Sequence, residues 1–243
     1  MAKTSKAHLR GKVALITGAS QGIGLAIGQA LAAEGCDLVI TGRNQPHLED
    51  ATRQLAKREI RVLPVACDVR EAGAVNALFA AVEGRFHQLD ILINNAGIAH
   101  SSLPVAKLPV EEWEEVIATN LTGMFLVTRR ALPLMKRGSA IVNNLSISAK
   151  RVFPGASAYN AAKHGGLGFT NTLREELRGQ GIRVIALLPG ATDTAIWGQF
   201  WPDAPRKKMM RPETVAQAVV NALTLPVEST VEELTIMPSA GTL

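Results

Sequence analysis

Two hydrophobic rhythms alternate along this chain. Short apolar, β-branched runs at 12–17, 37–41, 61–65, 88–94, 139–145, 182–188 and 233–237 have the unbroken character of strands buried on both faces. Between them lie stretches with helical spacing at 25–34, 46–57, 111–119, 121–135 and 212–225, and a further helix begins near Tyr159. Pro46 stands at a helix start, where its missing N–H does no harm. Asn120 separates two of the helical stretches, an unfavourable choice inside a helix unless its amide is used. Strands and helices alternate without an internal repeat or a linker. That order predicts an α/β fold: a single Rossmann-type, doubly wound parallel β-sheet flanked by helices on both faces. Residues 191–211 have no clean period and read as a loop segment over the site. Trp197, Phe200 and Trp201 lie within it, suited to walling an apolar pocket or to a subunit contact, with the pocket favoured.

The strand ends carry the candidate chemistry. The first strand runs into Thr17-Gly18-Ala19-Ser20-Gln21-Gly22-Ile23-Gly24 and then into a helix. Its glycines leave the backbone bare where a pyrophosphate can approach free N–H groups at the helix start. Many glycine-rich turns merely punctuate a chain, but strand, turn and helix in this order are the context the motif requires. The second strand ends at Gly42-Arg43-Asn44 with no acid before Pro46. An acid at this position would bind ribose hydroxyls and a base would accommodate a 2′-phosphate, so Arg43 favours NADP(H) over NAD(H). Asp68, with Val69 after the third strand, is placed to cap the next helix or to accept a hydrogen bond from an adenine amine. After the fourth strand, Asn95, Ala96 and Gly97 let a cofactor lie against the backbone, while the asparagines tie strand ends together.

Ser146, Tyr159 and Lys163 form the second constellation. Tyr159 and Lys163 are four residues apart, so they share a helix face. An ammonium beside a phenol stabilises phenolate and draws its pKa from about 10 toward neutrality, where a general acid or base works best. Ser146, at the preceding strand end, can hydrogen-bond a substrate oxygen. A tyrosine at a helix start is often only a packing residue, and a lysine one turn on only solvated surface. Two features raise the chemical reading: Tyr159 is the chain's single tyrosine, and a nucleotide-binding signature lies upstream. His100 reads as a solvated loop histidine.

Composition narrows the alternatives. The 243 residues suffice for one large domain, and 47% hydrophobic with 19% charged residues suits a soluble globular protein. The net charge of +5 comes from scattered residues, apart from Arg206, Lys207, Lys208 and Arg211, with no nucleic-acid module. No apolar run is long enough for a membrane span, and 1–10 reads as a flexible basic leader rather than a secretory signal. Cys36 and Cys67 read as reduced core thiols of a cytoplasmic protein, and the dispersed histidines offer no metal site.

Taken in order, these motifs resemble the classical short-chain dehydrogenase/reductase family, and the resemblance covers nearly the whole chain. It makes 11–243 a single dinucleotide-binding catalytic domain. It implies a catalytic tetrad of Asn120, Ser146, Tyr159 and Lys163. Tyr159 is then the general acid/base, Ser146 holds the reacting oxygen, Lys163 holds the nicotinamide ribose and lowers the tyrosine pKa, and Asn120 holds a proton-relay water. Pro189, Gly190, Thr192 and Thr194 resemble the loop that holds the nicotinamide amide. The family pattern implies an NADP(H)-dependent carbonyl reductase or alcohol dehydrogenase acting on a small apolar ketone or secondary alcohol, and a homodimer or homotetramer through 121–135 and 161–179. A similar branch, the 3-oxoacyl-acyl-carrier-protein reductases, is the second reading. Arg137 would suit carrier docking by position, whereas Gln180 and the ending Glu232–Pro238 depart from that branch. A cofactor-binding sensor without turnover comes third.

Overall fold

The computed structural model describes residues 8–242. Seven strands form one sheet: β1 (Val13–Thr17), β2 (Asp37–Gly42), β3 (Val62–Ala66), β4 (Ile91–Asn94), β5 (Ala140–Asn144), β6 (Arg183–Pro189) and β7 (Glu233–Ile236). Their spatial order is β3-β2-β1-β4-β5-β6-β7, and every pair is parallel. The expected doubly wound sheet is present.

Period-two alternation builds the two faces. Ala14 and Ile16, Leu38 and Ile40, Ile91 and Ile93, and Ala140 and Val142 enter one core cluster. Their neighbours Leu15, Val39, Leu92 and Ile141 enter another. The first cluster is covered by α1 (Gly22–Ala33), α2 (Gln45–Leu55) and α8 (Pro212–Leu223). The second is covered by α3 (Ala72–Phe86), α5 (Gly123–Ala131) and α6 (Ser157–Arg178). β1, β2, β4 and β5 are buried throughout, whereas β3 and β7 are only partly buried and close the sheet edges. Pro64 lies in β3, an edge strand that can spare a ladder N–H.

Several boundaries move for local reasons. α1 starts at Gly22 rather than residue 25, because the turn itself supplies the first helical residues. Asn44 caps α2 by accepting from His47 N at 2.9 Å. The helices expected at 111–119 and 121–135 are continuous: α4 (Val110–Ile117) passes through one π turn, Ala118–Thr122, into α5. Pro133 then turns the chain into a 3₁₀ segment, Leu132–Leu134, ending α5 at Ala131. The loop expected at 191–211 contains a short helix, α7 (Trp197–Phe200). Of the expected leader, residues 1–7 lie outside the described residues. His8 and Leu9 are tied down instead: both backbone N–H groups bond Glu34, and Leu9 is buried.

Candidate active site

The sheet order reverses between β1 and β4, and a crevice opens there at the carboxyl ends of the strands. A cavity of about 760 Å³ fills it, lined from the Gly18–Ile23 turn to the Trp197–Pro202 loop. That volume is within the range of about 300–1,000 Å³ typical of small-molecule sites.

Main chain shapes the β1–β2 end. Gly18 has φ 63°, a left-handed conformation, and a Cβ on it would come within 2.9 Å of the Ala96 Cα. A Cβ on Gly24 would overlap Gly18 O and the Asn95 amide. Asn95 locks this turn by donating from Nδ2 to Thr17 O at 2.9 Å and Gly18 O at 3.0 Å. Thr17 Oγ1 in turn accepts from Asn95 N and Ala96 N. No side chain caps the start of α1, so its first N–H groups face the cavity end where Ser20, Gln21, Gly22 and Ile23 lie. This arrangement fits an anion such as a pyrophosphate.

Arg43, His47, Cys67, Asp68 and Val69 line the adjoining end. Arg43 is exposed, with Nη1 3.6 Å from Glu115 Oε1. Asp68 does not cap α3, whose N-cap is Glu71. It instead accepts from the Arg70 guanidinium and backbone, and that bonding holds its carboxyl below the usual range.

Side chains shape the β4–β5 end. Lys163 is buried and donates from Nζ to Asn144 O at 3.1 Å. The Asn144 amide donates to Asn95 Oδ1 at 2.8 Å, so three bonds link Lys163 to the glycine turn. Deeper, Asn94 donates to Thr128 Oγ1 and Asn143 Oδ1, and Asn143 donates to Thr170 Oγ1. Tyr159 is half-buried, and Lys163 Nζ lies 5.3 Å from its ring centroid. Ser146 donates to Ser148 Oγ at 3.2 Å and accepts from Ser148 N.

The electrostatics differ from expectation. Burial dominates both groups: the Tyr159 phenol is pushed up to about 12, with the Ser146 hydroxyl acting in the opposite direction. Lys163 is pushed down to about 8 by the same desolvation. In this arrangement Lys163 does not bring the phenol toward neutrality.

Of the expected site residues, all line the crevice except Gly24, which packs behind the turn against Gly18 O and Asn95, and Asn120. Asn120, in the π turn, brackets Ile98 with both ends of its amide: Oδ1 accepts from Ile98 N and Nδ2 donates to Ile98 O, each at 2.8 Å. It is not among the cavity-lining residues, although Gly97 and Ile98 beside it are. Pro189, Gly190, Thr192 and Thr194 line the far side, where Gly190 N donates to Ile236 O. His100 is buried, not solvated: Ser101 N and Oγ both bond Glu112 Oε2, drawing its loop onto α4. Among the described residues, no group of three or more His, Cys, Asp or Glu could hold a metal ion, and no helix is long and apolar enough to cross a membrane.

Asn144, His47, Thr119, Phe153 and Pro154 also line the cavity, beyond the residues expected from sequence. Asn143-Asn144 at the end of an apolar strand is the visible signal for Asn144; His47 and Thr119 sit in helical stretches whose spacing does not say which residue reaches a crevice, and Phe153 and Pro154 sit in a stretch without a period.

The short chain dehydrogenase family model matches residues 12–205. An uncharacterized oxidoreductase of Staphylococcus aureus (strain MRSA252) is 37% identical over 232 residues, covering 95% of this chain and 98% of the relative. Two solved structures superpose closely. An alcohol dehydrogenase from the archaeon Thermococcus sibiricus, complexed with 5-hydroxy-NADP, has TM-score 0.88 at 32% identity, covering 94% of this chain and 97% of that one. A 3-ketoacyl-(acyl-carrier-protein) reductase from Brucella melitensis, complexed with NADH, has TM-score 0.86 at 31% identity, covering 95% and 98%. With the matched segment spanning the turn, the buried lysine and the loop beyond β6, this chain belongs to the short-chain dehydrogenase family, an oxidoreductase family.

Proposed function

We propose that this protein is an NADP(H)-dependent carbonyl reductase, or alcohol dehydrogenase in reverse, acting on a small apolar ketone or secondary alcohol. One observation carries the reading: a single cavity joins an uncapped helix start behind a glycine turn to a phenol and a buried ammonium. The residues present fit a nicotinamide dinucleotide. Gly18, Ser20, Gln21, Gly22, Ile23 and Gly24 would take its pyrophosphate, and Asp68, Val69, Asn95, Ala96 and Gly97 its adenosine side. Pro189, Gly190, Thr192 and Thr194 would hold its amide. The bound nicotinamide supplies or accepts the hydride.

The chain's own groups handle the proton. Because the phenol sits at about 12, Tyr159 is fully protonated at neutral pH and ready to donate to a carbonyl oxygen. Ser146 would hold that oxygen, and Lys163, still largely charged below about pH 8, would hold the ribose. Asn120 would act by fixing the Ile98 loop and, through its backbone, by seating a relay water. Arg43 supports NADP(H): it is exposed at the β2 end, and its contact with Glu115 is long enough for a phosphate to displace.

The carrier-protein reductase reading is weaker. Arg137 is engaged with Gly179 O at 3.3 Å at the end of α6, which is a structural use of its guanidinium. The free, buried cysteines support a reducing, cytoplasmic setting, and the family pattern supports a homodimer or homotetramer that light scattering would size. The decisive assay follows loss of reduced-cofactor absorbance with NADPH or NADH against ketones, aldehydes and acetoacetyl thioesters. Turnover that favours NADPH and disappears in Tyr159→Phe upholds the reading. Cofactor binding without turnover across the panel would favour the sensor.

A further inference from the structure

The chain is poor in aromatic residues, yet they gather at one place. It has three tryptophans, one tyrosine and six phenylalanines, and five of these ten line the crevice described above: Phe153, Tyr159, Trp197, Phe200 and Trp201. We propose that the substrate end of the site is a ring-binding slot, selecting flat, uncharged cyclic ketones or the matching secondary alcohols over chain-like or ionised ones. This deepens the reductase reading and rests on it.

Three observations support the slot. The first is the arrangement of the wall. Trp197 meets Phe200 at 6.1 Å and 66°, and Trp201 at 6.3 Å and 64°, both edge-to-face. Each edge-to-face contact sets one ring's edge on one face of another, so the opposite ring faces stay available to a further flat group. Trp201 remains 42% exposed while lining the cavity, a large apolar area for a residue with no packing duty in the core.

The second is the charge census. Among the described residues lining the cavity, the charged ones are Arg43, Asp68 and Lys163. Arg43 and Asp68 stand at the ends of β2 and β3, and Lys163 lies beneath Tyr159. Nearby cations are already used: Arg206 bonds Asp193 and Thr194 O, and Arg151 bonds Thr242. A substrate carboxylate or phosphate would lose its hydration here without gaining a counter-charge.

The third is that the wall is preformed. Trp197 Nε1 donates to Thr192 O at 2.8 Å, and Arg206 to Thr194 O at 2.6 Å. Met210 N bonds Ala191 O, and Asp193 N bonds Met210 O, so both ends of the 191–210 loop are stitched together. A rigid aromatic wall favours a rigid flat ligand, since neither partner loses much conformational freedom on binding.

The test compares ketones of equal carbon number: tetralone, a linear decanone and an oxodecanoate. With NADPH, kcat/KM is expected to be about tenfold higher for tetralone than for decanone, and lowest for the oxodecanoate. Trp201→Leu should reduce the tetralone-to-decanone ratio by roughly fivefold. Binding of each ketone to the NADP⁺-loaded protein, read by quenching of tryptophan fluorescence, separates the slot from the chemistry. Tighter binding of tetralone without turnover of any ketone upholds the slot and sinks the reductase reading. Turnover with decanone equal to or better than tetralone sinks the slot and leaves the reductase standing. A Trp201→Leu variant that slows both ketones equally, or that changes the molecular mass in solution with the ratio intact, also overturns it by making Trp201 a structural or subunit-contact residue.

Discussion

At the carboxyl ends of β1 and β2 the cavity wall is main chain, whereas beneath Tyr159 it is a lattice of side-chain amides and hydroxyls. The first wall is held by exclusion: positions 18 and 24 have no room for a Cβ. The second is held by pairing: Asn94, Asn95, Asn143, Asn144 and Lys163 are held by hydrogen bonds within the sheet interior or at the carboxyl ends of its central strands. A wall of exclusion fails abruptly when anything is added. A wall of pairing fails by degrees, as each deleted partner leaves another unsatisfied. Asn95 belongs to both and couples them.

The largest effect should come from the paired end, where the proposed chemistry resides. Tyr159→Phe is expected to lower kcat by about a thousandfold, the usual scale for a lost general acid, with circular dichroism and melting temperature little changed. Equal loss of kcat and of cofactor binding would make Tyr159 a binding residue instead. Next comes the main-chain wall. Gly24→Ala forces a methyl group into Gly18 O and the Asn95 amide and should destabilise by about 3 kcal/mol in urea titration while abolishing NADPH fluorescence enhancement. A stable variant that still binds would show that the turn can relax.

Lys163→Met tests the buried charge, and its sign is fixed by linkage. Burial lowers the lysine from its ordinary 10.5 to about 8, so between these values the unfolded chain carries a proton that the folded chain lacks. Stability contributed by this group therefore rises with pH across that window, by on the order of 3 kcal/mol in total. The methionine variant should be more stable than the parent at pH 7 by on the order of 1–3 kcal/mol, less the lost bond to Asn144 O, and the gap should close toward pH 10.5. Cys36, Cys67 and Tyr159, all raised by burial, act in the opposite direction but are common to both proteins. A constant gap across pH would mean that Lys163 titrates in the fold as it does in the unfolded chain, so that burial does not lower it.

Smaller effects sharpen the coupling between the walls. Asn144→Leu removes the donor to Asn95 Oδ1 and should cost about 2 kcal/mol by thermal melt, with a weaker affinity for NADPH. Full stability with unchanged affinity would mean that the two ends act independently. Arg43→Ala should shrink the NADPH-over-NADH preference by about tenfold with little effect on kcat, because an exposed phosphate contact contributes mainly to binding.

The two walls also differ in how far they can be read from residues alone. Glycine spacing at 18, 22 and 24 and the apolar runs state the main-chain wall and the sheet almost directly, since both depend on residue type at fixed intervals. Tyr159 and Lys163 are legible for the same reason, being four apart on one helix. Partners chosen across the fold are not. Nothing local says that Asn120 grips Ile98, that Glu112 draws His100 inward, or that Asp68 turns to Arg70. Nor does spacing report desolvation: the four-residue interval between Tyr159 and Lys163 points to a charge effect that lowers the phenol, whereas burial pushes it up.

The π turn at Ala118–Thr122 gives the helix through α4 and α5 two phases. Before it, Val116 is aligned with Ala158 and Ala162 of α6; after it, Thr128 is aligned with Asn94 under the sheet. An ordinary helix advances by roughly 100° per residue, so excising one residue here would straighten the turn and rotate all of α5 relative to α4 by about that angle. Either Val116 or Thr128 would then point at the wrong neighbour. The wide turn thus works as an indexing key: it fixes the angular offset between the segment that faces α6 and the segment that backs the sheet, and helix length alone cannot replace it.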